Sequence, residues 1–342
     1  MRKSVFQIII YLLLVLSGIF IGLYCKDDIL SHLKKDKGKG TEHIRFDDTS
    51  KIEWEGDFKL VSINSSVDNQ IQKAYFYPAK SDGPKPLVVS LHTWSGDYRQ
   101  KDELAGLCRQ KDINYIHPDF RGINNTKDAC CSELALSDID DAISYALSNG
   151  SVDRSKIFVI GVSGGGYATL STFMKSKHDI SKFSAWASIS DLIAWYNESL
   201  IRQNRYSENI LNCTESVGGL NESIAKNKSP IYWETPAEKL LKSKLFIYAG
   251  IYDGIQGSVP ITHSINFYNK LLADLNVEDS SEYVTDKEKL DLLEFRRPFG
   301  SFGTISGREI CLIKESNNIK LNIFTGNHEM LTEYALEELL NE

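Results

Sequence analysis

Residues 156–174 constrain the fold more than any other stretch of the chain. Lys156-Ile157-Phe158-Val159-Ile160 is rich in β-branched residues. It is followed by Gly161-Val162-Ser163-Gly164-Gly165-Gly166 and then by the helix-like Tyr167-Ala168-Thr169-Leu170-Ser171-Thr172-Phe173-Met174. A strand that turns this abruptly into a helix leaves no room for a Cβ beside the turn. Glycine is therefore required at the flanks, while the serine takes unfavourable backbone angles. Its hydroxyl then stands above the sheet, and the Gly164 N–H, at the start of the new helix, points to the same spot. That arrangement is a nucleophile elbow, with a nucleophile and half of an oxyanion hole in one segment. A Gly-x-Ser-x-Gly string also occurs in ordinary turns, where the serine only shapes the turn. The strand before it and the helix after it favour the nucleophile.

The rest of the pattern supplies a sheet for this elbow. Residues 58–63 and 71–77 alternate as half-exposed strands suited to an antiparallel edge, and 86–92 reads as a buried strand. A helix around 99–111, a strand at 114–117, a helix around 134–148, the elbow and a strand at 183–189 follow. Repeated βα alternation predicts an α/β fold, a mostly parallel twisted sheet with helices on both faces. After this sixth strand the alternation stops. The stretch 191–241 carries Trp195, Tyr196, Tyr206, Tyr232 and Trp233 and reads as an insertion, a lid over the site. A strand at 244–250, a helix around 260–274, a second insertion at about 278–317, a strand at 319–324 and a helix from 329 complete the pattern.

A serine hydroxyl is a weak nucleophile near neutral pH. It needs a histidine to take its proton and a carboxylate to hold that histidine in the productive tautomer. In a hydrolase sheet the chain order is Ser, acid, His. Asp253 lies in Gly250-Ile251-Tyr252-Asp253-Gly254, and His328 in Phe324-Thr325-Gly326-Asn327-His328-Glu329-Met330. Both are in loops at the carboxyl ends of strands, where open α/β sheets place their ligands. His32, His43, His92, His117, His178 and His263 read as surface or core residues from their positions. Asp191, after the preceding strand, rivals Asp253 as the acid, and the competing role for a Gly-Asn-His loop is to cap the last helix. The second oxyanion donor is expected from His92-Thr93-Trp94-Ser95-Gly96. The Trp94 N–H is the first choice and Thr93 the next; the competing role for Trp94 is a packed wall.

At 342 residues, 42% hydrophobic, the chain can bury a full core as one catalytic domain, 51–342. Its net charge of −7 argues against a nucleic-acid partner, which would need a basic face. Residues 5–24 hold twenty positions without a charge, the length of a bilayer's hydrocarbon core. They end without small residues at a cleavage site, so 1–24 reads as an uncleaved transmembrane anchor, with a cleaved signal and secretion as the alternative. Residues 25–50, polar and lysine-rich, read as a tether. Arg2 and Lys3 favour a cytoplasmic N-terminus, while Lys26, Lys34, Lys35, Lys37 and Lys39 load the other flank. Four of those five lie beyond the membrane edge among aspartates, which places the catalytic domain outside. The six cysteines show no regular framework and no zinc-ligand spacing, so scattered thiols are expected. No metal or organic cofactor is implied.

With these residues assembled, the region from about 70 to 342 resembles the α/β-hydrolase fold and, within it, the catalytic domain of the prolyl oligopeptidase family. The likeness is carried by Gly161-Val162-Ser163-Gly164-Gly165, by Pro118-Asp119-Phe120-Arg121-Gly122, by Asp253 followed by Val259-Pro260 and His263-Ser264, and by Gly326-Asn327-His328. It implies a serine hydrolase that opens an amide or ester bond through an acyl-enzyme, with a small-molecule, peptide or acylated-saccharide substrate. Ser163 would be its nucleophile, His328 its base and Asp253 its acid. By the same analogy Arg121 and His263 are structural, with Arg121 pairing with Asp138 or Asp141. Family peptidases usually carry a β-propeller ahead of the catalytic domain, for which the residues before the first strands here leave no room. The Thr93-Trp94 loop also departs from the usual aromatic or glycine-rich form. A carboxylic or carbohydrate esterase therefore stands beside the peptidase, and a catalytically silent binding protein on the same fold is the reading from another class.

Overall fold

The computed structural model describes residues 50–341 apart from Glu55 and Phe299, all within the unit Arg45–Glu342. The anchor expected at 1–24 and nearly all of the tether lie outside the described residues. Among the described residues no helix is long and apolar enough to cross a membrane.

The strands are β1 Lys59–Asn64, β2 Ile71–Tyr77, β3 Lys85–Leu91, β4 Asn114–Pro118, β5 Val152–Val162, β6 Lys182–Trp186, β7 Lys244–Gly250, β8 Thr304–Ile305, β9 Arg308–Ser316 and β10 Ile319–Phe324. The helices are α1 Glu103–Gln110, α2 Glu133–Asn149, α3 Gly164–Lys175, α4 Leu192–Ile201, α5 Tyr206–Cys213, α6 Glu222–Asn227, α7 Ala237–Leu240, α8 Thr262–Asp274, α9 Asp286–Phe295 and α10 Thr332–Leu340, with a short 3-10 turn at Pro230–Tyr232. The strands form one sheet in the order β1-β2-β4-β3-β5-β6-β7-β10-β9-β8. Pairing is parallel from β4 through β3, β5, β6 and β7 to β10, and antiparallel at both margins, where β1, β2, β9 and β8 add on.

The central strands are buried along most of their length because both faces are covered. On one face Ile139 and Ala142 of α2, Leu170 and Phe173 of α3 and Phe267 and Leu271 of α8 are buried in a common core. On the other, Leu104 and Cys108 of α1 pack in a second core with Leu336 and Leu339 of α10. The expected parallel sheet with an antiparallel edge is thus present. The stretch after β6 holds no strand; it folds into α4 to α7 and the 3-10 turn.

The second insertion is not free of sheet structure: within 278–317, Arg308–Ser316 is a strand antiparallel to β10. Its buried Ile310-Cys311-Leu312 is flanked by Arg308, Glu309, Lys314 and Glu315, a charged frame typical of strands near a sheet margin, and this hid it. Nor are the cysteines all scattered thiols. Cys130, ahead of α2, is disulfide-bonded to Cys213 at the end of α5, 83 residues away. Cys108, Cys131 and Cys311 are free and buried.

Arg121 pairs with Asp138 rather than Asp141. Its Nε lies 2.5 Å from Asp138 Oδ2, and its Nη1 and Nη2 reach the two carboxylate oxygens of Asp68 at 2.8 and 2.9 Å. Asp141 instead accepts the Ser66 N–H at 2.7 Å. One guanidinium thus ties the β1–β2 hairpin to α2, and its hydrogen bonds hold the Asp68 carboxyl down at about 2. The neighbouring Asp119 behaves in the opposite way. Burial, reinforced by the negative charge of Asp97, pushes its carboxyl up to about 6. The folded state therefore holds this proton more tightly than the unfolded chain, so the associated stability is complete below about pH 4 and is lost as pH rises through 6. Asp119→Asn should remove that loss. It is expected to be more stable than the parent at pH 8, by at most about 3 kcal/mol, with the gap closing by pH 4. Thermal melts at the two pH values check this; equal gaps at both would refute it.

Candidate active site

Ser163 sits between β5 and α3 at φ 58° and ψ −119°, a region that ordinary L-residues avoid. Two main-chain bonds hold it there: its N–H donates to the Trp186 carbonyl at 2.9 Å, and its carbonyl accepts from the Tyr167 N–H at 2.9 Å. The flanking glycines are sterically required. A Cβ on Gly161 would lie 2.4 Å from the Gly165 carbonyl carbon, and one on Gly165 would lie 2.1 Å from the Leu91 oxygen. The elbow can form only where β5, α3 and the end of β3 come this close.

The same closeness brings the two expected oxyanion donors together. A Cβ on Gly164 would stand 2.2 Å from the Trp94 nitrogen, so the main chains of Gly164 and Trp94 run against each other. Thr93 is ruled out as the donor because its N–H is committed to Gln100 Oε1 at 2.9 Å. Its carbonyl accepts from the Gly96 N–H at 3.0 Å and lies 2.9 Å from His92 Nδ1. Burial pushes the His92 imidazole down to about 3, so the ring is neutral at working pH, with Nδ1–H donating to that carbonyl. Fixing the carbonyl of a planar peptide fixes the opposed N–H of the next residue, here Trp94. The Trp94 side chain also forms a wall: it is buried, its ring meets Trp195 edge-on at 4.6 Å, and its indole N–H reaches Asn209 Oδ1 at 3.3 Å.

Asp253 and His328 meet because their strands are neighbours. β7 and β10 are parallel with Gly250 opposite Phe324, so the loops that follow leave the sheet side by side. His328 Nδ1 lies 2.7 Å from Asp253 Oδ2, with both side chains buried. The other carboxylate oxygen accepts the N–H groups of Gly254 at 2.8 Å and Val259 at 3.1 Å. The carboxylate is thus oriented from both sides, and the imidazole is held with Nδ1 toward it and Nε2 away. Gly257 makes room for the pair: a Cβ there would lie 2.3 Å from Asp253 Oδ1 and 2.4 Å from His328 Cβ.

Asp191 is used elsewhere. Its Oδ1 caps α4 by accepting from Ile193 and Ala194, at 2.8 and 3.2 Å, and its Oδ2 accepts the Tyr232 hydroxyl at 2.8 Å. His263 is buried against α4, with Nε2 3.0 Å from Glu198 Oε2. Two further residues, Gln100 and Gly257, shape the site without standing out in the sequence. A glycine four residues beyond the acid was a visible sign for the second; nothing local marks the first. Among the described residues no group of three or more His, Cys, Asp or Glu side chains could hold a metal ion.

β5, β6, β7 and β10 are consecutive parallel strands, so the serine, the carboxylate and the imidazole all sit in loops at one edge of the sheet. A mostly parallel sheet with an elbow serine and a carboxylate-bound histidine at this edge defines an α/β-hydrolase. The family model of the prolyl oligopeptidase family matches residues 106–289, more than half of the chain, and the chain belongs to that family. The matched span contains Ser163 and Asp253, while His328 lies beyond it.

Solved structures with the same fold include the uncomplexed acylaminoacyl peptidase of Pyrococcus horikoshii, at 19% identity and TM-score 0.52, covering 68% of this chain and 36% of that one. A puromycin-hydrolysing peptidase of Mycobacterium tuberculosis aligns at 14% identity and TM-score 0.53, covering 82% and 37%. Apo prolyl oligopeptidase B of Galerina marginata aligns at 14% and 0.51, covering 64% and 32%. This chain thus spans about a third of the length of these structures. No curated protein matches its sequence.

Proposed function

We propose that the protein is a serine peptidase that cleaves an amide bond through an acyl-enzyme. The observation that carries this reading is the 2.7 Å contact of His328 Nδ1 with buried Asp253, in the same sheet edge as a serine held at φ 58°. In the proposed reaction Ser163 Oγ attacks the carbonyl carbon as its proton passes to His328 Nε2. The carbonyl oxygen gains the negative charge and takes hydrogen bonds from the Gly164 and Trp94 N–H groups. His328 then gives the proton to the leaving amine as the C–N bond breaks. Water, deprotonated by the same nitrogen, releases the acid and restores the serine. Asp253, hydrogen-bonded to Nδ1, keeps the imidazole in the tautomer this exchange requires.

The reading extends to location. Twenty uncharged residues at 5–24 support a membrane anchor, and the Cys130–Cys213 disulfide supports an oxidising, extracytoplasmic setting for the catalytic domain. A panel of N-acyl-peptide anilides, p-nitrophenyl esters and acetylated sugars tests the chemistry. Turnover of the anilides is expected. Hydrolysis confined to esters and acetylated sugars would replace the peptidase with an esterase. Folded protein that a fluorophosphonate does not label would point to a silent binding protein.

A further inference from the structure

The insertion after β6 touches both halves of the candidate site through one helix. Trp195 and Glu198 in α4 and Arg202 at its C-cap fall at i, i+3 and i+7, a single stripe along the helix surface. All three engage the segment that follows Asp253. The Trp195 indole N–H donates to the Ser258 carbonyl at 2.8 Å. Glu198 Oε2 lies 3.0 Å from His263 Nε2. Arg202 donates from Nε and Nη2 to the Gly254 carbonyl, at 3.1 and 2.7 Å. Gly254 and Val259 are the residues whose N–H groups cradle Asp253, so the stripe grips the acid's cradle at its first residue and one residue before its last.

The same indole meets the oxyanion loop. Trp195 is fully buried, its ring packs edge-on against Trp94 at 4.6 Å, and Tyr206 stacks on it at 4.9 Å. Trp195 in this place links the Trp94 side chain, in the oxyanion loop, to the loop that orients Asp253. These elements come from strands that are not neighbours in the sheet, β3 and β7, so the sheet alone does not fix their spacing.

We infer that α4 is a clamp that sets the acid loop and the oxyanion loop in register, with Trp195 and Arg202 as positioning residues. The inference rests on the hydrolase reading above for its catalytic part. A static lid would guard access and act on substrate binding. A clamp acts on the transition state, where misplacement of a catalytic group by about 1 Å costs up to about 100-fold.

Two variants test it. Trp195→Phe keeps an aromatic ring beside Trp94 but deletes the donor to Ser258, and Arg202→Ala removes an exposed side chain whose loss leaves the core intact. With p-nitrophenyl acetate as substrate, kcat is expected to fall about tenfold in the first and about threefold in the second, with KM within about twofold of the parent. The double variant should fall by less than the product of the two, since both act on one loop. Arg202→Lys should recover part of the loss. Hydrogen exchange provides a readout independent of turnover: the Gly254 and Val259 amides should exchange faster in both variants. Unchanged exchange there overturns the clamp. Faster exchange with unchanged kcat, or a change confined to KM, overturns its catalytic role. A parent protein with no turnover of this ester or of the peptide anilides would sink the hydrolase reading, while the exchange rates still decide whether α4 holds the loop.

Discussion

Ser163→Ala is expected to lower kcat by about 10⁶-fold and to abolish covalent labelling by a fluorophosphonate, while the melting curve stays close to that of the parent. The size follows from serine, histidine and acid acting as one unit, so that losing the nucleophile costs about as much as losing all three. The small structural effect follows from the elbow itself. Ser163 is held by its own N–H and carbonyl, bonded to Trp186 and Tyr167, and alanine keeps both. The substitution also leaves the crowded glycines at 161, 164 and 165 unaltered. Retention of more than about one hundredth of parental turnover in purified Ser163→Ala would remove this residue from the nucleophile's role.

The second large effect separates the two candidate acids. Asp253→Asn should cost about 10⁴-fold in kcat, because an amide presents its NH₂ or its carbonyl to His328 Nδ1 and no longer enforces the tautomer that leaves Nε2 as the acceptor. The loss should ease at high pH, where hydroxide takes over part of the base's work. Asp191→Asn should change kcat little. The Asn side-chain oxygen still caps α4 through Ile193 and Ala194, and Asn is as good as Asp in that position. Steady-state kinetics on the two purified variants settle the matter. An inactive Asp191→Asn beside an active Asp253→Asn would reverse the assignment.

Legibility followed the range of the forces involved. The elbow was readable because its constraints are local: Gly161, Gly164 and Gly165 are demanded by contacts that any strand–turn–helix of this kind produces. The meeting of Asp253 with His328 needed one further step, a sheet order that puts β7 beside β10, and the βα alternation supplied it. β9 escaped because Arg308, Glu309, Lys314 and Glu315 gave an outer strand the look of a solvated loop. The grip of Gln100 on Thr93 left no trace in the pattern, since one polar side chain reaching back seven residues resembles any other. The insertion was legible as a break in alternation and as an aromatic stretch, but its helices and its contacts with Ser258 and Gly254 depend on packing between distant segments.

The bond between Cys130 and Cys213 bears on how the protein can be produced. It closes a span of 83 residues, worth about 4.5 kcal/mol in the chain-entropy view, and it fastens the end of α5 to the loop ahead of α2. Burial pushes the adjacent Cys131 thiol up to about 12 once the chain has folded, which keeps it inert. Before folding it has no such protection and competes with its neighbour for the same partner. A recombinant batch made in a reducing cytoplasm is therefore chemically distinct from one matured in an oxidising export pathway, and thiol titration of each batch should come before any comparison of their kinetics.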